Sequence, residues 1–355
     1  VSSVEEQINN IVKEIRETPY NKATQLHIGR LKAKLAKLRE EAVQSSAKRG
    51  FGYSPKKTGD ATCVLVGFPS VGKSTLLNVL TNAKSHVGAY DFTTLNVIPG
   101  SVVHKGAHIQ IFDVPGLVSG AASGKGKGKE VISVVRSADL ILLVVDVFSE
   151  YQIQILKKEL YNAGIRLNEH PPAATIIKRT RGGIAINKSL NSEIDDATIK
   201  AILREYKIHN ADVIFRENTS VDRFIDALMA NRRYVPSITV VNKIDQFNDD
   251  LHFGDISISA KEIINIDKLK DLIFEKLAFM RVYMKPPGGV PDLTNPLILR
   301  QNAKVEDVCN ILHRDFCNKF RYAQIWGKSV KFSGQRVGLD HVLTDEDIVT
   351  LNIQK

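Results

Sequence analysis

The segment Gly67-Phe68-Pro69-Ser70-Val71-Gly72-Lys73-Ser74 constrains this chain more than any other. Two glycines four residues apart, followed at once by Lys and Ser, make a loop whose backbone N–H groups can curl around phosphate oxygens. The apolar run Cys63-Val64-Leu65-Val66 precedes it, and a helical stretch over 74–81 follows. Such a strand–loop–helix unit belongs in an α/β fold with a mainly parallel sheet, where ligands bind at the carboxyl ends of the strands. Gly67, Pro69, Ser70, Val71, Gly72, Lys73, Ser74 and Thr75 are the candidate phosphate-binding residues. Lys73 can reach the outer phosphates, Ser74 can ligate Mg2+, and the helix presents its N-terminus to the anion.

Three further segments follow strand-like runs. Asp113-Val114-Pro115-Gly116 ends the run Ile109–Phe112, so Asp113 can hold Mg2+ through water and the Gly116 N–H can face a terminal phosphate. Lys73 and Gly116 are therefore candidate catalytic groups, and Ser74 and Asp113 candidate metal ligands. Asn242-Lys243-Ile244-Asp245 ends the run Ile238–Val241. A carboxylate at Asp245 can accept from both the ring N–H and the exocyclic amine of guanine. Adenine offers no such pair of donors, and a buried carboxylate left unpaired is costly. Ser259-Ala260-Lys261 fits the loop that closes over the base. Four segments in this order imply GTP or GDP as the ligand.

Alternating apolar strands and helices run from Cys63 to Phe279, interrupted between Ala163 and Ile238 by a stretch far longer than an ordinary connection. That stretch has elements of its own: Ala174–Ile177, a turn at Arg181-Gly182-Gly183, Ile184–Ile186, a helix near 197–206, Val213–Phe215 and a helix near 221–230. It reads as a small inserted α/β module. Ahead of the phosphate loop, Val4, Ile8, Ile11, Val12 and Ile15, then Ile28, Leu31, Leu35 and Leu38, recur at helical spacing around a break at Thr18–Asn21. This predicts an α-hairpin, either a solvated arm or a basic docking arm. Behind Lys285-Pro286-Pro287-Gly288-Gly289, an α+β unit is expected, with strands at Leu297–Leu299, Tyr322–Trp326, Val330–Phe332 and Ile348–Ile353, and Tyr322 and Trp326 packed in its core. The expected domains are thus 1–50 (hairpin), 60–164 and 236–285 (nucleotide-binding domain), 165–235 (insert) and 287–355 (carboxyl-terminal unit).

Composition narrows the class. Charged residues make up 25% and hydrophobic ones 43%, which is ordinary for a globular chain. The longest apolar runs, such as Leu140–Val147, fall short of the ~20 residues of a spanning helix, so no membrane association is expected. Three cysteines without a Cys-x-x-Cys argue against a disulfide framework or a zinc site, and favour a reducing, cytoplasmic setting. The net charge of +10 favours a polyanionic partner, and the excess lies more in the hairpin and the insert than in the carboxyl-terminal unit.

Tyr90-Asp91-Phe92-Thr93-Thr94-Leu95, with Pro99 and Gly100 behind it, resembles the first switch of Obg-type, translation-factor-related GTPases. With the hairpin, the Gly-Phe-Pro-Ser-Val-Gly-Lys-Ser loop, the run Gly124-Lys125-Gly126-Lys127-Gly128-Lys129, the insert and the carboxyl-terminal unit, it resembles the developmentally regulated GTP-binding (DRG) subfamily over essentially the whole chain. That resemblance implies that Thr94 closes onto Mg2+ and the γ-phosphate, as both metal ligand and catalytic residue, with Thr93 as its neighbour. It implies an insert like domain 2 of ribosomal protein S5 and a β-grasp TGS domain, whose ending is matched by Leu343–Val349 with Glu346 standing where glycine is common. The residue after Gly116 is Leu117, where Ras-like enzymes carry a water-orienting glutamine, so a low intrinsic hydrolysis rate is expected. Some relatives add K+, held partly by an asparagine in the phosphate loop; Ser70 occupies that position here and leaves K+ open. The resemblance implies a GTPase switch in translation, acting on the ribosome or RNA and working with an accessory partner protein; a monomer that does not bind DNA is expected. The competing reading is a protein-interaction scaffold whose nucleotide site regulates partner choice.

Overall fold

Strands such as Leu140–Asp146 and Ser237–Asn242 carry side chains that are buried on both faces, which only the interior of a helix-covered sheet provides. The computed structural model describes residues 4–47, 59–81, 98–114, 128–188, 193–229, 231–247 and 252–354. Thr93, Thr94, Gly116, Leu117, the linker 50–58 and the glycine–lysine run as far as Lys127 lie outside the described residues.

Numbered along the chain, α1 (Val4–Glu17) and α2 (Gln25–Ala47) precede β1 (Ala61–Val66), α3 (Lys73–Leu80), β2 (Ile98–His104) and β3 (Ala107–Asp113). Next come α4 (Gly128–Ser137), β4 (Leu140–Asp146), α5 (Tyr151–Asn162), β5 (Ile165–Leu167), β6 (Ala174–Lys178) and β7 (Ile184–Asn187). They are followed by α6 (Asp196–Glu205), β8 (Ala211–Phe215), α7 (Val221–Leu228), β9 (Arg233–Val235), β10 (Ser237–Asn242) and β11 (Ile256–Ser257). The last group is α8 (Ile266–Lys276), β12 (Phe279–Met284), β13 (Leu297–Arg300), α9 (Val305–Leu312), α10 (Arg314–Asn318), β14 (Phe320–Trp326), β15 (Gln335–Val337) and β16 (Asp347–Ile353). The chain divides into two units: Val1–Pro55, Leu117–Ser137 and Gln154–Val235 form the first, and Lys56–Gly116, Ala138–Ile153 and Pro236–Lys355 the second.

The second unit is built on a six-stranded sheet of order β11-β10-β4-β1-β3-β2, parallel except for the β2–β3 hairpin. Cys63, Leu65, Ile111, Leu142 and Val240 pack against Leu76 and Leu77 of α3 and Ile266, Leu269 and Ile273 of α8. Each such buried aliphatic side chain contributes about 1.5–3 kcal/mol. The register pairs Leu65 with Asp113 and Asn242 with Asp146, so four strands deliver their carboxyl ends to one edge of the sheet.

The same unit holds a five-stranded sheet, β13-β12-β16-β14-β15, with α9 supplying Val305, Val308 and Cys309 to its core. Three sequence expectations change here. β12 falls within the range 236–285 that was read as nucleotide-binding domain, yet it pairs with β13 and β16. Val330–Phe332 is a turn rather than a strand, because two apolar residues between Gly327 and Gly334 are too few to outcompete the turn, and Phe332 is exposed. Tyr322 and Trp326 lie on the opposite strand face from the buried Ala323 and Ile325, half-buried, with Arg336 over Tyr322 and Lys285 over Trp326. At the start of β16, Glu346 takes a left-handed φ of 71° and is held there by its N–H on the Arg281 carbonyl and its carboxylate on the Arg281 guanidinium. Arg281 thus compensates for the missing glycine.

In the first unit, β6-β8-β7 form a three-stranded sheet backed by α6 and α7, and β5 pairs with β9. The hairpin is no solvated arm. Ala33 of α2 is fully buried in one core with Ile199, Ile202, Leu203 and Phe224. Gly29 permits the close approach, since a Cβ there would stand 2.7 Å from Thr198 Cγ2. Lys32 pairs with Asp222 at 2.7 Å and the Gln25 amide donates to the Glu193 carbonyl at 2.8 Å. Arg30 and Lys34 stay exposed.

Candidate functional site

The loop between β1 and α3 is shaped by contacts that forbid side chains. A Cβ on Gly67 would meet the Val144 carbonyl at 2.3 Å, and one on Gly72, whose φ is 93°, would meet Asn242 Nδ2 at 2.4 Å. Glycine is required at both positions. Ser70 at the exposed loop tip also takes a left-handed φ, of 67°. α3 begins at Lys73, so the N–H groups of its first turn have no partners within the helix and point to where an anion binds. Ser74 and Thr75 are exposed there.

Lys73 is nearly buried, and its ammonium donates to the carbonyls of Gly67 at 3.1 Å and Phe68 at 3.0 Å. Burial pushes its pKa below that of an ordinary lysine, against the opposing pull of Asp113. The lysine is thereby held over the loop rather than in solvent. Asp113, at the end of β3, accepts the Ser74 hydroxyl at 2.5 Å. Two hard oxygen donors at the mouth of a phosphate loop suit Mg2+, which takes one or two protein oxygens and fills its octahedron with water and phosphate.

At the end of β10, Asn242 is buried and joins two loops. Its amide donates to the Val71 carbonyl at 2.9 Å, and its carbonyl accepts the Ala260 N–H at 3.0 Å. Asp245 sits in a 3-10 turn, exposed, with Oδ1 accepting the Ser259 hydroxyl at 2.6 Å. Ser259 also receives the Glu262 N–H at 3.0 Å, which fixes its rotamer. Asp245 is therefore a pre-oriented carboxylate open to a ligand. Lys243, at φ 69°, reaches Asp146 at 3.6 Å, and Lys261 is exposed beside Glu262.

The sequence-derived residues Gly67, Pro69, Ser70, Val71, Gly72, Lys73, Ser74 and Thr75 form the loop and first helical turn, Asp113 adjoins them, and Asn242 links them to Ser259 and Ala260. Thr94 and Gly116 lie outside the described residues. Asp146 was missed, although its position at the end of an apolar strand is the signal that marks the other site residues. Phe148 and Phe247, stacked edge to face at 6.3 Å just beyond Asp146 and Asp245, were missed as well. No helix among the described residues is long and apolar enough to cross a membrane.

Comparison with known proteins matches residues 62–179 to the family described as 50S ribosome-binding GTPase, residues 181–279 to the C-terminal region of MMR_HSR1 domain, and residues 280–352 to the TGS domain. An uncharacterized GTP-binding protein of Methanocaldococcus jannaschii is 55% identical over 100% of this chain and 94% of its own length. Developmentally-regulated GTP-binding protein 2 of Homo sapiens is 44% identical over 98% of each chain. The developmentally-regulated GTP-binding protein 1 homolog of Dictyostelium discoideum is 46% identical over 98% of this chain and 99% of its own.

Proposed function

The chain belongs to the developmentally regulated GTP-binding protein family of GTPases, and from that premise we propose that it is a slow GTPase switch acting in translation through contact with a ribosome or RNA. The observation that carries the nucleotide half is the Asn242 tether, which binds the phosphate loop and the base loop into one rigid cradle with Asp245 aimed outward. In this reading Asp245 pairs with guanine, Ser259 and Ala260 close over the base, and Lys243 flanks it. Gly67 to Thr75 enclose the phosphates, with Lys73 turning from the loop carbonyls to them.

Ser74 and Asp113 would hold Mg2+, which neutralises phosphate charge when bound; Thr94 is the proposed further ligand and Gly116 the proposed γ-phosphate donor. Hydrolysis transfers the γ-phosphoryl group to water, giving GDP and phosphate. Leu117 has no hydrogen-bonding group to orient that water, so the chain's part is positioning and charge stabilisation. An intrinsic rate on the order of 10⁻⁴ to 10⁻³ s⁻¹ is expected, as for GTPases without a supplied arginine. K+ at the Ser70 turn is tested by single-turnover hydrolysis in KCl and NaCl; equal rates remove the ion from the reading.

Support for the translation half comes from the match to a family described as ribosome-binding, from the TGS match, and from the exposed Arg30 and Lys34 on α2. The test is co-sedimentation with ribosomes in the GTP-analogue and GDP states over a salt series. Salt-sensitive association in one nucleotide state is expected, and no association in either state overturns the switch and favours the scaffold.

A further inference from the structure

The first unit contains a cavity of about 350 Å³ walled by α2, the end of α5, β5 and α7. Its charges do not balance. Asp226, with a 5% exposed side chain, accepts Arg166 through Nε at 2.5 Å and Nη2 at 2.7 Å, and also accepts Arg232 Nε at 2.7 Å. One carboxylate thus serves two guanidiniums, while Lys32 and Asp222 neutralise each other at 2.7 Å. The Arg166 guanidinium is fixed over the Tyr161 ring, 3.5 Å from its centroid.

Arg39 lines the same cavity and has no hydrogen-bond or ion-pair partner among the described residues. Burial pushes its pKa down. Tyr161 and Glu159 oppose that shift, and Arg232 and Arg166 add to it. Among the lining residues outside the Lys32–Asp222 pair, three guanidiniums stand against one carboxylate in a partly desolvated space, and desolvated charge is costly without a counter-charge. A planar fork of N–H donors suits phosphate oxygens in particular. Leu35, Ala36 and Ile225 are apolar parts of the same lining. The volume lies at the small end of ligand sites, which span roughly 300–1,000 Å³.

We propose that this cavity binds a small organic phosphate, its phosphoryl group on Arg39 and the Arg166–Arg232 pair and its apolar part against Leu35, Ala36 and Ile225. Neither the phosphate loop nor the guanine-reading residues contribute to it. Nothing in the proposal depends on the translation reading.

The experiment uses the full chain saturated with a non-hydrolysable GTP analogue and Mg2+, so that the phosphate loop cannot take up the probe. Phenyl phosphate, inorganic phosphate and phenol are titrated by calorimetry into the wild type, Arg39→Gln and Arg39→Lys. Expected are saturable one-to-one binding of phenyl phosphate, weaker binding of inorganic phosphate, none of phenol, and a loss of roughly tenfold or more in Arg39→Gln, the scale of one charge-assisted hydrogen bond. Arg39→Lys retains the charge without the fork and should bind in between. Unchanged thermal unfolding of both variants establishes that they are folded. No saturable binding of phenyl phosphate, or equal binding by Arg39→Gln, overturns the site; equal affinity for inorganic and phenyl phosphate overturns its apolar half. A single-stranded RNA hexamer is the last arm. Arg39-dependent binding of the hexamer without binding of phenyl phosphate overturns the small-molecule assignment and gives the arginines to a polymer backbone.

Discussion

Replacing Asn242 by Ala tests the tether on which the nucleotide site depends. The side chain is 2% exposed and makes two hydrogen bonds, to the Val71 carbonyl at 2.9 Å and from the Ala260 N–H at 3.0 Å. Alanine removes both partners and leaves two backbone groups unsatisfied, at about 1–3 kcal/mol each. Neighbouring Gly72 is only half-buried, so water can relieve part of the loss, and the lower half of the summed range, about 2–4 kcal/mol, is the expectation. Nucleotide-saturated protein should lose that stability in full. Affinity should fall roughly tenfold or more, because binding must then realign two uncoupled loops. GDP and GTP should suffer alike, since the tether lies between base and loop and not at the γ-phosphate side where Asp113 sits. Asn242→Asp keeps the acceptor for Ala260 but sets a carboxylate against the Val71 carbonyl, and should be no better than alanine. Fluorescent-nucleotide titration and thermal unfolding with and without GDP give the readout. Affinities within about threefold of wild type together with an unchanged midpoint, or a loss confined to GTP, would refute the reasoning, since a broken tether costs more than ~0.7 kcal/mol.

Other outcomes follow from the same geometry. Asp245→Asn should weaken GTP by roughly a hundredfold or more and favour xanthosine triphosphate, whose ring carbonyl accepts where guanine donates; unchanged GTP affinity in a competition assay would sink the base-reading role. Ser74→Ala should raise the Mg2+ concentration needed for half-maximal hydrolysis while leaving Mg2+-free GDP binding within a few-fold, measured by metal titration. Asp226→Asn removes the charge shared by Arg166 and Arg232 and should cost about 3–5 kcal/mol in urea unfolding, because both largely buried guanidiniums lose their counter-charge. Burial, reinforced by neighbouring Cys317, pushes the Cys309 thiol up to about 11 from 9.0. Its folded pKa is thus the higher one, so this contribution to stability is complete below pH 9 and is lost as pH climbs toward 11. Iodoacetamide at pH 8 should therefore label Cys317 and spare Cys63 and Cys309 in the native protein, as read by mass spectrometry.

The nucleotide site was legible along the chain because each of its pieces is local. A strand followed at once by Gly67–Ser74 places backbone N–H groups and a lysine together with no help from distant residues, and Asp113 and Asp245 sit directly behind their own strands. Spacing therefore carried the proposed chemistry. The α-hairpin was legible as helices and illegible as a docked element, since an apolar stripe states that a face is covered and not by what; the partner proved to be α6, through Gly29 and Thr198. Residues 279–284 were placed with the nucleotide-binding domain for a related reason: sequence pattern specifies a strand's faces, while its edges pair with whichever strand the fold brings up.

The sequence by itself determined the α/β class and the candidate residues for a guanine nucleotide, because these depend on backbone conformations and residue types within a few positions of one another. Only the tertiary structure decided that Asn242 locks the phosphate loop to the base loop, that Arg281 stands in for a glycine at Glu346, and that Arg166 and Arg232 share the Asp226 carboxylate in a cavity that Arg39 also lines. Those contacts join residues far apart in the chain, and their strength comes from desolvation and close packing, which exist only once the chain has folded.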